Sequence, residues 1–582
     1  MFRKKEINLE ERFYQFSDMR ELIRVSSEIY GDRDAFVTKV KGRTRKEATY
    51  LNTTYRQFFQ EINCLGTALC NLGLQGSSIA VVGENSYRWC LAYFAVCCGV
   101  GQIVPLDKLL QKDELESCLK RSGARAVFCD KKKYSILKEI REEGNTSLEY
   151  IILLDGYEEG DPEIIDLVLK GKSLLADGNR SYLDAEIDRD KSLFLLFTSG
   201  TTSQSKAVML SHRNFMSCVY AMDIEEKFTP DDVNLMILPL HHCYGMTGLM
   251  TFLSQGMKTA FCDGLRYISD NLKEYQVSVL MSVPLLLENM HRKIVKAIDK
   301  QGMAKNFEKG QKICKALDRL GIDARRKVFA NIIEQLGGNM RFIINGAAAL
   351  DPETSKFFNS IGILTVQGYG MTETAPSISS ESWRNIKPGS VGKLFSNVEG
   401  RIIDKDEDGI GELIVRGDNV MQGYYNDPEA TNEVLKDGWL HTGDLAYFDE
   451  EGFLFICGRK KNVIVMKNGK NVFPEEIEAQ INELPYIDES MVFTRNKLND
   501  VVLWVKGVYS KSYLKEHGMS LEQLKEKFDL DLDGINAQMP SYKMIKKHFL
   551  SELPTIKTTT QKLKRRDELK QINEELKDNE LK

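Results

Sequence analysis

Short apolar runs alternate with amphipathic stretches from Ile79 to Val366, and this rhythm constrains the fold more than any other feature of the chain. The runs are Ile79 to Gly83, Ala124 to Cys129, Tyr150 to Leu154, Ser192 to Phe197, Asn234 to Leu238, Val277 to Met281, Arg341 to Ile344 and Ile363 to Val366. Each has the length of a buried strand, and helix-length stretches separate them. Strands that alternate with helices predict α/β layers with largely parallel sheets, because parallel neighbours need a long crossover. Gly83 ends the first run, and Glu84-Asn85-Ser86 can cap the helix that follows. The longest apolar run, Trp89 to Gly101, is too short to span a bilayer and reads as a buried helix broken before Pro105.

The rhythm changes near residue 390. Gly400 to Asp404 faces Glu412 to Arg416 across a loop with Asp408-Gly409, and Leu445 to Phe448 faces Phe453 to Cys457 across Asp449 to Gly452. Both pairs predict antiparallel hairpins with Gly-containing turns. Asn462 to Met466 then leads into Asn468-Gly469, a strong hairpin signal, and Pro474-Glu475-Glu476 opens a helix with proline and acids in its first turn. The expected fold class is α/β. A large domain spans residues 1–458, with two layered α/β subdomains and a β-rich subdomain at 390–457, and a smaller α+β domain spans 459–582. The Lys/Glu-rich end, Arg565 to Lys582, reads as a solvated helix or a frayed tail. No internal repeat is visible.

Composition narrows the function classes. Hydrophobic residues make up 42 % and charged residues 28 %, which excludes a disordered chain and a polytopic membrane protein. The 79 Lys and Arg fall short of the 84 Asp and Glu, so a general nucleic-acid binder is not expected. The 12 cysteines form no CxxC pair and have no His at zinc-finger spacing, and they read as reduced, mostly buried thiols of a cytoplasmic protein. Met1 to Glu11 is charged and resembles no signal peptide. No amphipathic basic helix stands out, so at most peripheral membrane contact is expected.

The most informative segment follows the strand that ends in Phe197. Thr198-Ser199-Gly200-Thr201-Thr202-Ser203-Gln204-Ser205-Lys206 holds hydroxyls, a glycine and a terminal lysine. Hydroxyls and free backbone N–H groups wrap polyphosphate oxygens, and Lys adds a point charge. It is not the GxxxxGK[ST] loop. Farther on lie Gly346-Ala347-Ala348 and Gln367-Gly368-Tyr369-Gly370-Met371-Thr372-Glu373. An aromatic ring there can stack on a purine, glycines let backbone approach a nucleotide, and a carboxylate offers a hard oxygen to Mg²⁺. No GxGxxG follows a strand, which disfavours a dinucleotide-dependent dehydrogenase.

Together these segments resemble the adenylate-forming superfamily of acyl-CoA synthetases, nonribosomal-peptide adenylation domains and luciferases. The first segment resembles the family's phosphate loop, roughly [ST]SGTTGxPKG, and departs at Ser203, Ser205 and Ala207, where Gly, Pro and Gly are usual. The order of the other segments also matches. The resemblance implies ATP binding by Thr198, Ser199, Gly200, Thr201, Thr202 and Lys206, by Gly346, Ala347 and Ala348, and by the stretch Gln367 to Thr372. Thr372 would bond the α-phosphate, Glu373 would ligate Mg²⁺, and Thr198 lies near the same ion in the family. Trp439 to Asp444 resembles the ribose site, with Asp444 and Arg459 on the sugar hydroxyls. In Pro239-Leu240-His241-His242-Cys243, the match by position is His242, which lines the acyl pocket in the family, and no Cys or Asp completes a metal-ligand set with the two adjacent His.

Lys557 to Arg565 resembles the terminal PKTxxGKIxR segment, with Gln561 in place of Gly. This variant, like Glu84 to Trp89 and Val104 to Asp107, looks like bacterial long-chain acyl-CoA synthetases. Lys562 then corresponds to the adenylation lysine and Lys461 to the hinge of a mobile C-terminal domain. Asn468-Gly469 corresponds to the hairpin beside which pantetheine's thiol passes. The resemblance implies an acid–thiol ligase that uses ATP, Mg²⁺ and CoA on a carboxylic acid, with long-chain fatty acid the first expectation. A carrier-protein phosphopantetheine in place of CoA, and a degenerate nucleotide- or acyl-binding member without turnover, are the alternatives.

Overall fold

The computed structural model describes residues 15–40, 47–198, 205–466, 470–497, 500–557 and 563–580. Among these, the chain divides into two compact units, one running to Glu399 and taking in Arg416–Gly438, the other made of Gly400–Val415 and the chain from Trp439 onward.

The first unit is built on two sheets. The nine-stranded sheet runs, edge to edge, Lys393–Leu394, Ser377–Ser380, Leu364–Gly370, Phe342–Asn345, Val279–Ser282, Val233–Met236, Lys258–Phe261, Asp34–Val40 and Thr49–Thr54. The seven-stranded sheet runs Gly423–Tyr424, Lys206–Ser211, Ser192–Thr198, Gln102–Leu106, Ser78–Val82, Ala126–Cys129 and Tyr150–Leu153. The centres of both sheets are parallel, as the alternation predicts. All eight apolar runs contribute strands. The hairpin Asp34–Val40 and Thr49–Thr54 was not legible: it is amphipathic and sits at a sheet edge, where one face stays wet.

Two helices are buried nearly all round and line the interior, as helices apolar on every side must. Tyr87–Ala95 is capped by the Ser86 hydroxyl, which accepts from the Trp89 N–H, and Trp89 through Ala95 are buried. It continues into a wider turn at Val96–Val100 and stops where Gly99 adopts φ +149°. Glycine therefore ends this run, and Pro105 lies inside the strand Gln102–Leu106. Cys243–Ser254 is the second such helix.

In the second unit the expected hairpins form. Gly411–Gly417 lies beside Val398–Ile403, and Trp439–Phe448 pairs with Leu454–Arg459, with Tyr447 opposite Phe455. Ile464–Val465 pairs with Asn471–Val472. The Asn468-Gly469 turn itself lies outside the described residues. A three-stranded sheet, Ile487–Lys497, Asp500–Tyr509 and Lys547–Ser551, packs with helices Pro474–Asn482 and Leu521–Ala537 around Tyr486, Val505 and Phe528.

The Lys/Glu-rich end is neither solvated throughout nor frayed among its described residues. Arg565–Glu580 is a helix whose Ile572 and Leu576 join Met491 and Phe493 in a small core. Glu568 is fully buried on the same helix and meets Lys506, itself fully buried, at 2.9 Å. Lys506 also reaches Glu575 at 2.6 Å. The charges that suggested a surface segment are partly paired inside, which composition cannot reveal. All twelve cysteines are free thiols and ten are buried. Among the described residues, no helix is long and apolar enough to cross a membrane.

Candidate active site

The phosphate-loop segment connects two neighbouring antiparallel strands. Thr198 ends one and Lys206 begins the other, in direct register, and the Thr198 hydroxyl donates to the Lys206 carbonyl at 3.2 Å. Ser199, Gly200, Thr201 and Thr202 lie outside the described residues. Ser205 is held through its carbonyl by the Arg121 guanidinium at 2.8 Å. Ala207, where the family has glycine, is buried in a regular strand and has no positive φ, so this departure requires no strain.

Lys206 and Glu373 converge on one aromatic ring that the sequence reading missed. The Lys206 ammonium lies 4.5 Å from the centroid of the Tyr424 ring. The Tyr424 hydroxyl donates to Glu373 Oε1 at 2.8 Å. Tyr424 is placed by the two-residue strand Gly423–Tyr424, which extends the seven-stranded sheet beside Lys206–Ser211. The Met421 N–H donates to the Glu373 carbonyl at 2.8 Å, so backbone and carboxylate of Glu373 are both fixed from this segment. A cation over a ring face and a charge-assisted hydrogen bond at its edge make one rigid unit.

The segments Gly346 to Ala348 and Gln367 to Thr372 are also brought together. Asn345, the last residue of its strand, stands opposite Gln367 where the parallel pairing of the two strands ends. The Asn345 amide donates to Gln367 Oε1 at 2.7 Å, and the Gln367 amide donates to the Ala348 carbonyl at 2.9 Å, tying one strand-end turn to the other. Gly346 lies against Tyr244, where a Cβ would stand 2.9 Å from the ring. Ala347 has φ +74°, a left-handed conformation that costs a side-chain-bearing residue energy and often marks functional sites. A Cβ on Gly370 would lie 1.7 Å from the Pro376 carbonyl, so only glycine fits there. Gly368, Tyr369 and Met371 continue the same strand end, and Thr372 opens a single helical turn, Thr372–Thr374.

His242 precedes the buried helix Cys243–Ser254, and its ring lies 4.2 Å from that of His241. The segment is held by Asn85, whose amide donates to the Leu238 carbonyl at 2.6 Å while its carbonyl accepts the Leu240 N–H at 3.1 Å. The framework residues of Glu84 to Ser86 therefore position the His loop. His241 Nε2 lies 3.6 Å from Asp107, a neighbour that spacing did not reveal.

In the second unit Asp444 and Arg459 stand opposite each other on paired strands. Asp444 is buried, and Arg459 Nε meets its Oδ1 at 2.7 Å. Beside them Glu412 accepts from Lys460 at 2.8 Å and lies 3.5 Å from His441. Burial of Glu412 opposes its ionisation, but Lys460 and His441 prevail and hold its carboxyl below the usual range. Lys461 sits in the short turn Lys460–Asn462 directly after Arg459. Lys562 and the other residues of 558–562 lie outside the described residues. The flanks of that segment are pinned: Lys557 and Leu563 form an antiparallel bridge, Lys557 pairs with Glu489 at 2.6 Å, and Arg565 donates to Glu478 at 2.8 Å.

Residues 24–425 match the family described as AMP-binding enzyme, and 461–578 match the AMP-binding enzyme C-terminal domain. The chain belongs to the AMP-binding enzyme family. It is a member of the adenylate-forming superfamily and resembles the long-chain acyl-CoA synthetases. One relative is the long-chain-fatty-acid–CoA ligase FadD15 of Mycobacterium bovis, 26 % identical over 77 % of this chain and 76 % of that one. Another is the chloroplastic long-chain-fatty-acid–[acyl-carrier-protein] ligase AEE15 of Arabidopsis thaliana, 27 % identical over 84 % of this chain and 77 % of that one. Among solved structures, the anthranilate CoA ligase AuaEII in complex with anthranoyl-AMP superposes with a TM-score of 0.75, at 18 % identity, over 95 % of this chain and 97 % of that one. At that identity the likeness establishes the fold.

Glu373 is the residue that would hold the family's divalent ion. Among the described residues no group of three or more His, Cys, Asp or Glu is arranged to hold a metal. Mg²⁺ uses one or two carboxylates with substrate phosphates rather than an all-protein cage. The donor set here is a single half-exposed carboxylate steadied through one oxygen by Tyr424.

Proposed function

We propose that the protein is an ATP-dependent acid–thiol ligase that converts a long-chain fatty acid to its CoA thioester through an acyl-adenylate, releasing pyrophosphate and then AMP. The observation that carries this reading is the Lys206–Tyr424–Glu373 arrangement, which sets an ammonium and a carboxylate about one ring at the end of the phosphate-loop strand. The long-chain assignment draws support from the relatives, whose names specify long-chain fatty acids.

In the first half-reaction a carboxylate oxygen attacks the α-phosphorus of ATP, and the bond to the bridging oxygen of pyrophosphate breaks. Catalysis is then a matter of placing two anions and countering charge at the α-phosphoryl group. Lys562, Thr372, Lys206 and the N–H groups of Ser199 to Thr202 supply those donors. His242 lines the acyl site, Tyr369 stacks on the purine, and Asp444 accepts from the ribose with Arg459 beside it. Bound Mg²⁺, held by Glu373 with Thr198 nearby, supplies charge neutralisation for the polyphosphate. In the second half-reaction the deprotonated thiol attacks the acyl carbonyl carbon, and AMP leaves with the bonding pair. The domain from residue 459 turns at Lys461 between the steps, withdrawing Lys562 and bringing forward Asn468-Gly469.

The test is pyrophosphate release with purified protein, ATP and Mg²⁺ across straight-chain acids from acetate to stearate and two aryl acids, each with and without CoA. Release that needs a long-chain acid and becomes catalytic only with CoA is expected. An acid-dependent burst that CoA does not relieve, but a holo carrier protein does, would favour the second reading, which the carrier-protein ligase among the relatives supports. No acid-dependent release would overturn both.

A further inference from the structure

The segment Arg292 to Val328 carries twelve Lys and Arg against four Asp and Glu, in a chain whose formal net charge is -5. It forms the outer end of helix Pro284–Lys300, the helix Ala304–Asp318 and the short helix Arg325–Val328. Its inner side is anchored. Phe307 packs at 5.0 Å on Phe329 and stacks at 5.6 Å on Phe357, and Gly310 lets the helix approach Val328 closely. Its outer side holds Lys300, Lys305, Lys309, Lys312, Lys315 and Arg319, all exposed, and among the described residues none of these six forms an ion pair. Lys305, Lys309, Lys312 and Ala316 recur at the spacing of one helix face. Between and beyond them stand exposed apolar side chains: Leu320 at 73 %, Ile322 at 53 %, Ile313 at 45 %, Val328 at 43 % and Met303 at 41 %.

We propose that this hairpin docks the protein on an anionic lipid surface. Clustered unpaired lysines supply the attraction to lipid phosphates, and the apolar side chains enter the acyl boundary while the lysine stems lie along it. An acidic protein partner would neutralise the lysines but would bury lysine-rich surface, which protein interface cores avoid. A bilayer interface accommodates both features at once. The anchoring helix is about 25 Å long at 1.5 Å per residue. It begins beside Ser282, whose carbonyl lies 3.5 Å from the Tyr244 hydroxyl at the strand ends described above. No amphipathic basic helix stands out in the sequence here, because the inner face is marked by Gly310 and Cys314 rather than by a run of large apolar residues.

Co-sedimentation of the full chain with phosphatidylcholine vesicles, with and without phosphatidylglycerol, tests this. Binding is expected only with phosphatidylglycerol, and it weakens as ionic strength rises from about 0.01 to about 0.15 M and the Debye length falls from ~30 to ~8 Å. Lys305→Glu/Lys309→Glu/Lys312→Glu lowers partitioning on the order of a hundredfold at low salt. Ile313→Ser/Leu320→Ser lowers it severalfold with the salt dependence retained. Thermal unfolding of both variants matches the wild type, since the changed residues are exposed. Equal binding to neutral vesicles, no binding to anionic ones, or a charge-reversal variant that binds like the wild type would overturn the proposal. So would a charge-reversal variant that keeps vesicle binding but loses affinity for holo acyl carrier protein, which would assign the surface to an acidic protein.

Discussion

The Tyr424 hydroxyl donates to Glu373 Oε1 at 2.8 Å, and that bond defines a sharp test at the residue scale. Tyr424→Phe keeps the ring beneath Lys206 and removes the hydroxyl that bonds Glu373. We expect the Mg²⁺ concentration for half-maximal adenylation to rise and the rate at limiting Mg²⁺ to fall roughly tenfold, the scale of one charge-assisted bond. An unchanged Mg²⁺ titration would remove Tyr424 from the site. Lys562→Ala should slow adenylation by roughly 10²–10³-fold, as loss of one preorganised donor does. Thioester formation from preformed acyl-adenylate should change little, and equal loss in both steps would contradict the assigned role. The resemblance singles out Glu373, Lys206, Gln367 and Asp444 through the motifs that hold them. Tyr424 was not legible: it lies 51 residues from Glu373, and only the sheet brings the two together.

At the scale of elements, the eight strand runs were readable because a buried parallel strand is a short continuous apolar stretch. What was not readable is how polar groups are disposed inside. His212 is fully buried at the start of the helix His212–Glu225. Its Nδ1 accepts the Met19 N–H at 3.2 Å, so Nε2 carries the proton and donates to the Cys97 carbonyl at 3.1 Å. Burial favours the neutral ring and moves its pKa down to about 4. The unfolded chain takes up this proton near 6.5 and the folded chain only near 4. Between those values the unfolded state binds more protons, so stability falls as pH drops through the window. His212→Gln should flatten the acid side of the stability curve by about 3 kcal/mol between pH 6.5 and 4, measured by urea unfolding at several pH values. An unaltered pH slope would contradict the neutral tautomer. The helix Arg565–Glu580 was misread as surface because its decisive contact, Lys506 with Glu568, joins residues far apart in sequence. Lys506→Met leaves two buried or half-buried carboxylates without their cation and should destabilise this unit by about 3–5 kcal/mol in thermal or chemical unfolding. A wild-type transition would mean the carboxylates find other partners.

For the whole molecule, the family matches cover residues 24–425 and 461–578, and Lys461 opens the second match. The proposed turn at Lys461 predicts that Lys461→Pro impairs overall thioester formation more than it impairs the adenylation step alone, because proline removes backbone freedom that only the change between steps requires. Equal effects would remove the hinge. The change in strand rhythm near residue 390 marks the β-rich stretch, and the hairpin of Trp439–Phe448 with Leu454–Arg459 forms there; the grouping of Gly400–Val415 with the chain from Trp439 onward is not visible in the sequence. Chain-length preference was not legible either, because no motif in the sequence marks the side chains that set pocket depth. The most direct test of the central claim is acid-dependent exchange of labelled pyrophosphate into ATP, in Mg²⁺ and without any thiol. Exchange that requires a long-chain fatty acid is predicted, since an acyl-adenylate forms reversibly before thiol enters. ATP consumption that yields ADP and phosphate, or exchange indifferent to every acid, would contradict it.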